Sequence, residues 1–292
     1  MTAPVLAFLG FGEAAQAFVE GWGDAPPARL AAFDLKTEGA GRDQKLAEYD
    51  RAKVRPALTP AEAVSDAQFI ISVVTADEAV NAARAAARAL APRAVYFDFN
   101  SVAPAAKQEA AALIEAAGGR YVDVAVMSPV RPALLKTPML VSGSAASEAA
   151  DLLARLGFST RPVEGGVGGA SAIKMIRSIM IKGIEALTAE CVLSAYAAGV
   201  EDEVFASLDG SFPGFDWRKR ADYNLDRMIV HGRRRAAEMR ESAKTAAGLG
   251  LGGETATATA GWQQRIGDLE LPLPDGLDAK VQALLSALES AR

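Results

Sequence analysis

A short turn near the start of the chain has the residue types that bind a phosphate group. Residues 10–15 read GFGEAA, which fits the pattern G-x-G-x-x-G/A. The first glycine permits a tight turn, the second lets a pyrophosphate approach the backbone, and a small third residue allows a helix to pack closely on a strand. The apolar residues 5–9 predict that strand, and residues 13–21 predict that helix, whose free N–H groups attract anions. We therefore predict a dinucleotide-binding turn that is formed by Gly10, Phe11, Gly12, Glu13 and Ala14.

An acidic residue follows this turn at the distance that such sites require. Asp34 ends the second predicted strand, residues 30–34, about twenty residues after the turn. A carboxylate at this position accepts hydrogen bonds from the ribose hydroxyls of a dinucleotide and repels a 2′-phosphate. Asp34 therefore favours NAD over NADP, although Lys36 and Arg42 could still accommodate a phosphate. The structural alternative is an aspartate that only forms the turn after the strand.

Two later loops place polar groups after predicted strands. Val74 and Thr75 come at the end of one such strand, and Asn100 and Ser101 follow another. The carboxyl ends of the strands are where open α/β sheets bind ligands, so we predict that Val74, Thr75 and Asn100 contact the cofactor. Asn100 and Ser101 could equally cap the helix that is predicted to begin at Pro104.

The order of the predicted elements supplies the sheet that these loops need. Up to residue 162, strands alternate with helices, which is typical of a parallel sheet with helices on both faces. After the glycine-rich segment EGGVGGASA, helix signals dominate, except that residues 245–261 predict a mobile loop with a helix start. The predicted fold class is α/β: a Rossmann doubly wound sheet in residues 1–164, a long interdomain helix at about 169–198, and an all-α C-terminal domain in residues 165–292.

Composition and charge argue against several other classes of protein. The net charge is −5 and no basic stripe carries interleaved aromatic residues, so we expect no nucleic acid partner. We expect no membrane association, because no apolar run reaches about 18 residues. The single cysteine, Cys191, excludes an intrachain disulfide and fits a cytoplasmic location. One histidine and scattered carboxylates predict that there is no metal site.

Together these features resemble the β-hydroxyacid dehydrogenase family, which includes 3-hydroxyisobutyrate dehydrogenase and, more distantly, 6-phosphogluconate dehydrogenase. The resemblance covers about residues 4–200 and is most specific in GGVGGASAIKMIRS, where the family has G-x-x-G-x-(small)-x-x-x-K-x-x-x-N. The matching residues are Gly165, Gly168, Ala170 and Lys174. The last ninety residues look like a branch of 6-phosphogluconate-dehydrogenase-like proteins whose substrate is unassigned.

The resemblance implies an NAD(P)-dependent oxidoreductase with Lys174 as its catalytic acid/base. Such an enzyme transfers a hydride between the nicotinamide and a small hydroxy acid, or its semialdehyde or keto acid. Lysine suits this role, since partial desolvation lowers the pKa of an ammonium group towards the working pH. A solvated lysine on a helix surface is the structural alternative for Lys174.

Residues after Lys174 on the same predicted helix are further candidates. Ser178 replaces the family asparagine, one turn after Lys174, and either bonds the reacting hydroxyl or packs within the helix. Arg177 could anchor a substrate carboxylate or lie on the surface. Lys182 continues the face of Lys174 and is a weaker candidate for an acid/base or for an anion contact.

Two candidate substrate regions depart from the family pattern. The sequence DVAVMSP places Met127, Ser128 and Pro129 where the family has a substrate-binding Ser-Gly-Gly turn. Pro129 lacks an N–H, so we expect a substrate that differs from that of simple family members. The segment HGRRRAAEM, residues 231–239, lies where family members often have a lysine that reaches the cofactor and substrate, and His231, Arg234 or Arg235 could replace it. A packed or surface histidine explains His231 equally well.

Other functions and partners follow from the same resemblance. An imine reductase on the same fold is one alternative, and a dinucleotide-binding sensor without catalysis is another. A purely structural α/β protein would leave the convergence of Gly10, Asp34 and Lys174 as coincidence. The expected partners are a small carboxylate-bearing substrate and a second copy of the chain, since a long apolar helix would expose too much surface in a monomer.

Overall fold

A computed structural model of the chain describes residues 4–290. The chain divides into an N-terminal unit that ends at Lys174 and a C-terminal unit that begins at Met175. This division lies inside the long helix, and the domain boundary expected at residues 164 and 165 stays a prediction. Among the described residues, no helix is both long and apolar enough to cross a membrane.

The N-terminal unit alternates strands with helices. Its strands are β1 (Val5–Leu9), β2 (Arg29–Phe33), β3 (Arg55–Pro56), β4 (Phe69–Ser72), β5 (Val95–Asp98), β6 (Arg120–Val126), β7 (Met139–Ser142) and β8 (Thr160–Pro162). Its helices are α1 (Glu13–Trp22), α2 (Arg42–Arg51), α3 (Pro60–Val64), α4 (Ala79–Ala87), α5 (Pro104–Ala116) and α6 (Ala146–Arg155). Short 3-10 helices lie at Leu35–Glu38, Ala76–Glu78 and Leu134–Lys136.

The strands form one sheet in the order β3-β2-β1-β4-β5-β6-β7-β8. Its first six strands are parallel and have the order of a dinucleotide-binding Rossmann domain, so the predicted doubly wound sheet is confirmed. The expectation of parallel strands throughout is wrong at β7, which runs antiparallel to β6. The twelve residues between them, 127–138, contain only a short 3-10 helix, too little for the crossover that a parallel strand needs.

Strand β1 shows why this sequence forms a sheet that is covered on both faces. All five of its residues are buried. Leu6 and Phe8 pack in one hydrophobic cluster, and Ala7 and Leu9 pack in another. This alternation follows from the period of two residues in a strand, and burial of both faces explains the continuous apolar run. The glycine turn therefore follows a strand that is held rigidly in the core.

The remaining chain is helical, which confirms the predicted all-α C-terminal region. The helices are α7 (Gly169–Ala198), α8 (Glu201–Ser211), α9 (Trp217–Gly248), α10 (Glu254–Asp268) and α11 (Leu277–Ser290). Helix α7 begins in the N-terminal unit and continues into the C-terminal unit. Leu225 and Met228 of α9, Ile266 of α10 and Leu284 of α11 are buried together in the core of the C-terminal unit.

The prediction of a mobile loop at residues 245–261 is wrong for most of that segment. Helix α9 continues to Gly248 and α10 begins at Glu254, so only five residues connect them. The buried residues of α10 recur with a helical period: they are Ala256, Thr259, Ala260, Gln263, Ile266 and Gly267. Threonine and glycine obscured this period in the sequence, because both have low helix propensity.

Candidate functional site

The predicted dinucleotide turn begins at Gly10, directly after β1. Gly10 has a φ of +86°, and its N–H donates to the Phe33 carbonyl at 2.8 Å. A Cβ at Gly10 would lie 2.5 Å from the Val73 carbonyl oxygen, so no other residue fits there. A Cβ at Gly12 would meet no atom within 4 Å. The first glycine is thus required by the fold, whereas the second leaves one side of the turn open.

The open side of this turn carries the N-terminus of α1. Gly12 is the N-cap residue and provides no side-chain hydrogen bond, so the first N–H groups of the helix have no capping side chain. Gly12 and Glu13 are exposed and Ala14 is half-buried. The Phe11 ring is buried against the Tyr49 ring, with centroids 5.0 Å apart, so this side chain is not available to a ligand. An open turn with free N–H groups fits the pyrophosphate of a dinucleotide.

Asp34 lies beside this turn and contacts backbone groups. Its Oδ2 accepts the Phe11 N–H at 2.8 Å, and its Oδ1 accepts the Lys36 N–H at 3.0 Å. Asp34 therefore also performs the turn-forming role, as the N-cap residue of the 3-10 helix Leu35–Glu38. Each carboxylate oxygen keeps a second lone pair that could accept a ribose hydroxyl. Lys36 and Arg42 are exposed.

Lys45, which no sequence pattern indicated, is buried beside the same turn. Its Nζ donates to the Phe11 carbonyl at 2.8 Å and lies 3.9 Å from Asp34 Oδ2. It also forms an ion pair with Glu48, three residues later on α2. In the sequence this pair reads as an ordinary solvated pair on a helix surface, so no local signal distinguishes it.

Asn100 joins the two predicted loops after β4 and β5. Its Oδ1 accepts the Val74 N–H at 2.7 Å, and its Nδ2 donates to Ser72 Oγ at 2.9 Å. The alternative in which Asn100 caps α5 is wrong, because Ala103 is the N-cap residue of that helix. Asn100 is buried, Val74 is half-buried and Thr75 is exposed. Since β1, β4, β5 and β6 are parallel, these loops share one edge of the sheet with the glycine turn.

Lys174 reaches the loop after β5 from the first turns of α7. Its Nζ donates to the hydroxyl oxygen of Ser101, the residue after Asn100. Both Lys174 and Ser101 are half-buried. The residue predicted to be the acid/base thus lies next to a loop that is predicted to contact the cofactor.

A fully buried ionic network lies beneath this loop and was also missed. Lys107 Nζ donates to Asp98 Oδ1 at 2.8 Å and lies 3.3 Å from Asp123 Oδ1, and none of the three side chains is exposed. The Tyr121 hydroxyl donates to Asp98 Oδ2 at 2.6 Å. Burial, together with the Asp98 carboxylate, raises the pKa of Tyr121 well above its usual value. The available signal was an aspartate next to apolar residues in two predicted strands: Asp98 ends β5, and Asp123 lies in the middle of β6.

This network also fixes the start of α7. Asp123 accepts the Ser171 N–H at 3.0 Å and the Ser171 hydroxyl at 2.7 Å. It also accepts the hydroxyl of Ser142, whose oxygen in turn accepts the Ala170 N–H at 2.9 Å. Lys174 follows Ser171 by one helical turn, so its backbone position is set by a buried carboxylate.

The predicted substrate residues after β6 are placed at its carboxyl end. Met127 is half-buried, and its N–H donates to the Pro138 carbonyl at 2.9 Å. Ser128 and Pro129 are exposed. The Met127 N–H is therefore used within the fold, and the Ser128 hydroxyl is the polar side chain that this turn offers to a ligand.

The remaining candidates belong to the C-terminal unit. Lys182 Nζ donates to Ser178 Oγ at 3.1 Å and forms an ion pair with Glu238 at 2.9 Å. Ser178 and Lys182 are buried, so the structure brings these two together. Arg177 is exposed, and His231 is half-buried on α9.

Fold and site define a Rossmann-type dinucleotide-binding protein with a helical C-terminal region. Two family models match the chain: the NAD binding domain of 6-phosphogluconate dehydrogenase over residues 28–160, and a domain of unknown function, DUF1932, over residues 195–266. Solved structures match both regions. A conserved hypothetical protein from Sinorhizobium meliloti 1021 is 38% identical, with 98% of this chain and 97% of that chain covered and a TM-score of 0.79.

Two further structures connect the chain to dehydrogenases. A conserved protein of unknown function, described as structurally similar to 3-hydroxyacid dehydrogenases, is 29% identical, with 90% of this chain and 97% of that chain covered and a TM-score of 0.69. The 3-hydroxyisobutyrate dehydrogenase of Mycobacterium tuberculosis shares the fold at 16% identity, with coverages of 97% and 99% and a TM-score of 0.70. The chain belongs to the β-hydroxyacid dehydrogenase family. It is therefore an oxidoreductase that binds a nicotinamide dinucleotide.

Proposed function

We propose that the protein transfers a hydride between nicotinamide and the carbinol carbon of a small hydroxy acid, or reduces the matching semialdehyde or keto acid. The observation that carries this proposal is the hydrogen bond from Lys174 to Ser101. It puts an ammonium group beside the loop that Asn100 joins to Val74. The bound cofactor supplies the hydride chemistry, and the chain supplies orientation and the proton.

Lys174 is the proposed acid/base. As a hydride leaves the carbinol carbon, neutral Lys174 takes the hydroxyl proton and becomes an ammonium group, and a carbonyl forms. In the reverse direction the ammonium group returns this proton to the carbonyl oxygen. Ser101 orients the lysine by accepting one of its protons. Because Lys174 would exchange its proton with an oxygen atom, its position favours an alcohol or carbonyl substrate over the imine alternative.

NAD is the proposed cofactor, because Asp34 cannot easily turn away from a 2′-phosphate. Two backbone N–H groups, those of Phe11 and Lys36, hold its carboxylate at 2.8 and 3.0 Å. Rotation of the side chain would leave the part-buried Phe11 N–H without this acceptor, at a cost of about 1–3 kcal/mol, whereas the exposed Lys36 N–H could bond water instead. Lys36 and Arg42 are the groups through which NADP could still be accepted.

A carboxylate-bearing substrate is proposed, with either Ser128 or Arg177 as its anchor. Both side chains are exposed. Lys182 is a weaker anchor than the sequence suggested, because Glu238 already compensates its charge. Ser178 accepts a hydrogen bond from Lys182. His231, on α9, remains a candidate for substrate contact.

A homodimer is proposed from exposed apolar residues on α7. Ile176, Met180 and Leu187 are 49%, 66% and 70% exposed, and their spacing places them along one side of the helix. A second copy of the chain would cover them. The molar mass in solution, measured by light scattering, tests this proposal, and a monomer at all concentrations would contradict it.

The first experiment is a fluorescence titration with NADH and NADPH, on the wild type and on Asp34→Ala. We expect tighter binding of NADH by the wild type, and a reduced preference in Asp34→Ala. A screen of hydroxy acids, keto acids and cyclic imines then follows with Lys174→Ala. Turnover of a hydroxy acid that Lys174→Ala loses supports the proposal. Turnover of imines alone would establish the reductase alternative, and cofactor binding without any turnover would favour a sensor.

A further inference from the structure

Lys45 on α2 contacts the backbone of the dinucleotide turn. Its Nζ donates to the Phe11 carbonyl at 2.8 Å, and only 3% of the residue is exposed. Glu48 pairs with it on the same helix, and Asp34 Oδ2 lies 3.9 Å away. With two carboxylates beside one ammonium group, Lys45 adds no net positive charge to the region. Its contribution to an anion site must therefore come from geometry.

The other polar groups around Phe11 complete this geometry. Gln16 Nε2 donates to the same Phe11 carbonyl at 3.2 Å and to Glu48 Oε2 at 3.0 Å. The Phe11 N–H donates to Asp34 Oδ2 at 2.8 Å. Side chains from α1, from α2 and from the end of β2 thus hold both backbone polar groups of one residue.

The held carbonyl determines the direction of the next N–H. The Phe11–Gly12 peptide is trans, and in a trans peptide the C=O and the N–H point in opposite directions. Because Lys45 and Gln16 hold the Phe11 oxygen on one side, the Gly12 N–H is directed to the other side. Gly12 is exposed, and a Cβ there would meet no atom within 4 Å. This N–H therefore joins the free donors of the first turn of α1.

We infer that Lys45 is a positioning residue for pyrophosphate recognition. It fixes the Phe11–Gly12 peptide so that the Gly12 N–H is available to the cofactor, without contacting the cofactor itself. The inference rests on the proposed function, since it requires that a dinucleotide binds at this turn. Lys45 is not part of the G-x-G-x-x-G/A pattern, and the turn depends on it only through the tertiary structure.

The test uses a property of the sequence. Phe11–Gly12 is the only Phe–Gly pair in the chain. Isotope labelling of the phenylalanine carbonyl carbon and the glycine amide nitrogen therefore gives a single correlated NMR signal from this peptide. The variants are Lys45→Met, the conservative Lys45→Arg, and the control Lys53→Met, which removes an exposed lysine paired with Asp24. The ligands are NADH, ADP and inorganic pyrophosphate.

We expect Lys45→Met to shift the Phe11 carbonyl signal and to raise the Kd for NADH and ADP by about tenfold, the loss of one charge-assisted hydrogen bond. Lys45→Arg should keep both properties near those of the wild type, and Lys53→Met should match the wild type. Addition of ADP or pyrophosphate should shift the Gly12 amide signal of the wild type. Gln16→Met is a milder variant and should weaken ADP binding by about threefold. It tests whether the Phe11 carbonyl must be held if Lys45→Met does not fold.

Several outcomes would overturn the inference. An unchanged Kd and an unchanged Phe11 carbonyl signal in Lys45→Met would show that Lys45 does not hold the turn. An equal loss of binding in Lys53→Met would show a general effect of charge. These results leave the proposed function intact if the wild type still binds NADH. Failure of the wild type to bind NADH, NADPH and ADP would instead remove the proposed function and this inference together.

Discussion

The dinucleotide turn and the middle of α7 use their buried charges differently. At the turn, Asp34 and Lys45 contact the backbone of Phe11, so their charges fix the shape of a loop whose open side carries free N–H groups. On α7, Lys182 contacts the side chains of Ser178 and Glu238, so its charge is used within the helical core. Charges that bind backbone groups shape a site, whereas charges that bind each other are withheld from a ligand.

A second buried ionic network, beneath the loop after β5, also uses its charges to hold backbone groups. Lys107 and Asp98 hold the loop after β5, because Asp98 Oδ1 also accepts the Asn100 N–H at 2.9 Å. Asp123 holds the first turn of α7 through Ser171. In the N-terminal unit, buried charges thus position the backbone around both the predicted cofactor loop and the predicted catalytic lysine.

The largest effect is expected for Lys107→Met. Its loss leaves the buried Asp98 and Asp123 carboxylates without a counterion, so we expect the free energy of unfolding to fall by about 4 kcal/mol. The measurement is chemical denaturation followed by circular dichroism. The double variant Lys107→Met/Asp98→Asn should recover part of the loss. A decrease below about 1 kcal/mol would mean that this network does not stabilise the unit.

The two glycines of the turn should differ when each is replaced by alanine. Gly10→Ala brings a Cβ to 2.5 Å from the Val73 oxygen at a φ of +86°, so we expect a loss of about 3 kcal/mol in stability. Gly12→Ala meets no neighbour and should keep the stability to within about 0.5 kcal/mol while it weakens NADH binding. Thermal unfolding and NADH titration of both variants check this contrast. Equal effects of the two replacements would contradict it.

Removal of a buried ion pair should destabilise the C-terminal unit and leave the dinucleotide turn unchanged. Glu185 forms a buried ion pair with Arg235 and accepts from Gln263 Nε2 at 2.8 Å. Glu185→Gln removes the counterion of Arg235, and we expect a loss of about 2–3 kcal/mol. The Phe11–Gly12 NMR signal should stay at its wild-type position. A shift of that signal would show that the two regions are coupled.

Alkaline pH should act first on the N-terminal unit. Burial raises the pKa of Tyr49, Tyr96 and Tyr121 above the ordinary value of 10.0. The folded state holds these protons more tightly than the unfolded state, so the stability is fully present below pH 10 and is lost as the pH rises above it. The loss is about 1.4 kcal/mol per pH unit for each tyrosine. The tyrosinate absorbance of these three tyrosines should therefore appear only together with unfolding, and ionisation of any of them in the folded protein, assigned with its Tyr→Phe variant, would contradict this.

In the C-terminal unit, Tyr196 has its pKa raised to about 12, by burial and by its hydrogen bond to Asp278. It is less buried than the three tyrosines of the N-terminal unit, so it should ionise while the helices remain folded. Tyr196→Phe removes this signal and serves as the control for the alkaline titration.

The parts of the fold that sequence analysis predicted are those with a strong local signal. Strand β1, the turn at residues 10–15 and helix α7 were predicted because apolar periodicity and glycine spacing are properties of neighbouring residues. The direction of β7 and the extent of α10 were missed. The first depends on whether the connection contains a crossover helix, and the second on a buried face in which alanine, threonine and glycine predominate.

Among the site residues, the sequence indicated Asp34, Asn100 and Lys174 but gave no sign of Lys45 or Lys107. A lysine on an amphipathic helix reads as a solvated charge unless the chain that surrounds it is known. Burial of these two lysines follows from how α2 and α5 pack on the sheet. The distance in sequence between Lys45 and Phe11 is 34 residues, beyond the range of any local pattern.

By itself, the sequence determined the class of this protein: a Rossmann sheet with a glycine turn, an acidic residue after β2, and a lysine one turn into a long helix. These features are local, because a turn, a strand end and a helix face need only a few consecutive residues. Only the tertiary structure decided which charges serve the backbone and which compensate each other. That choice depends on burial, since an ion removed from water must bind whatever partner the fold brings within reach.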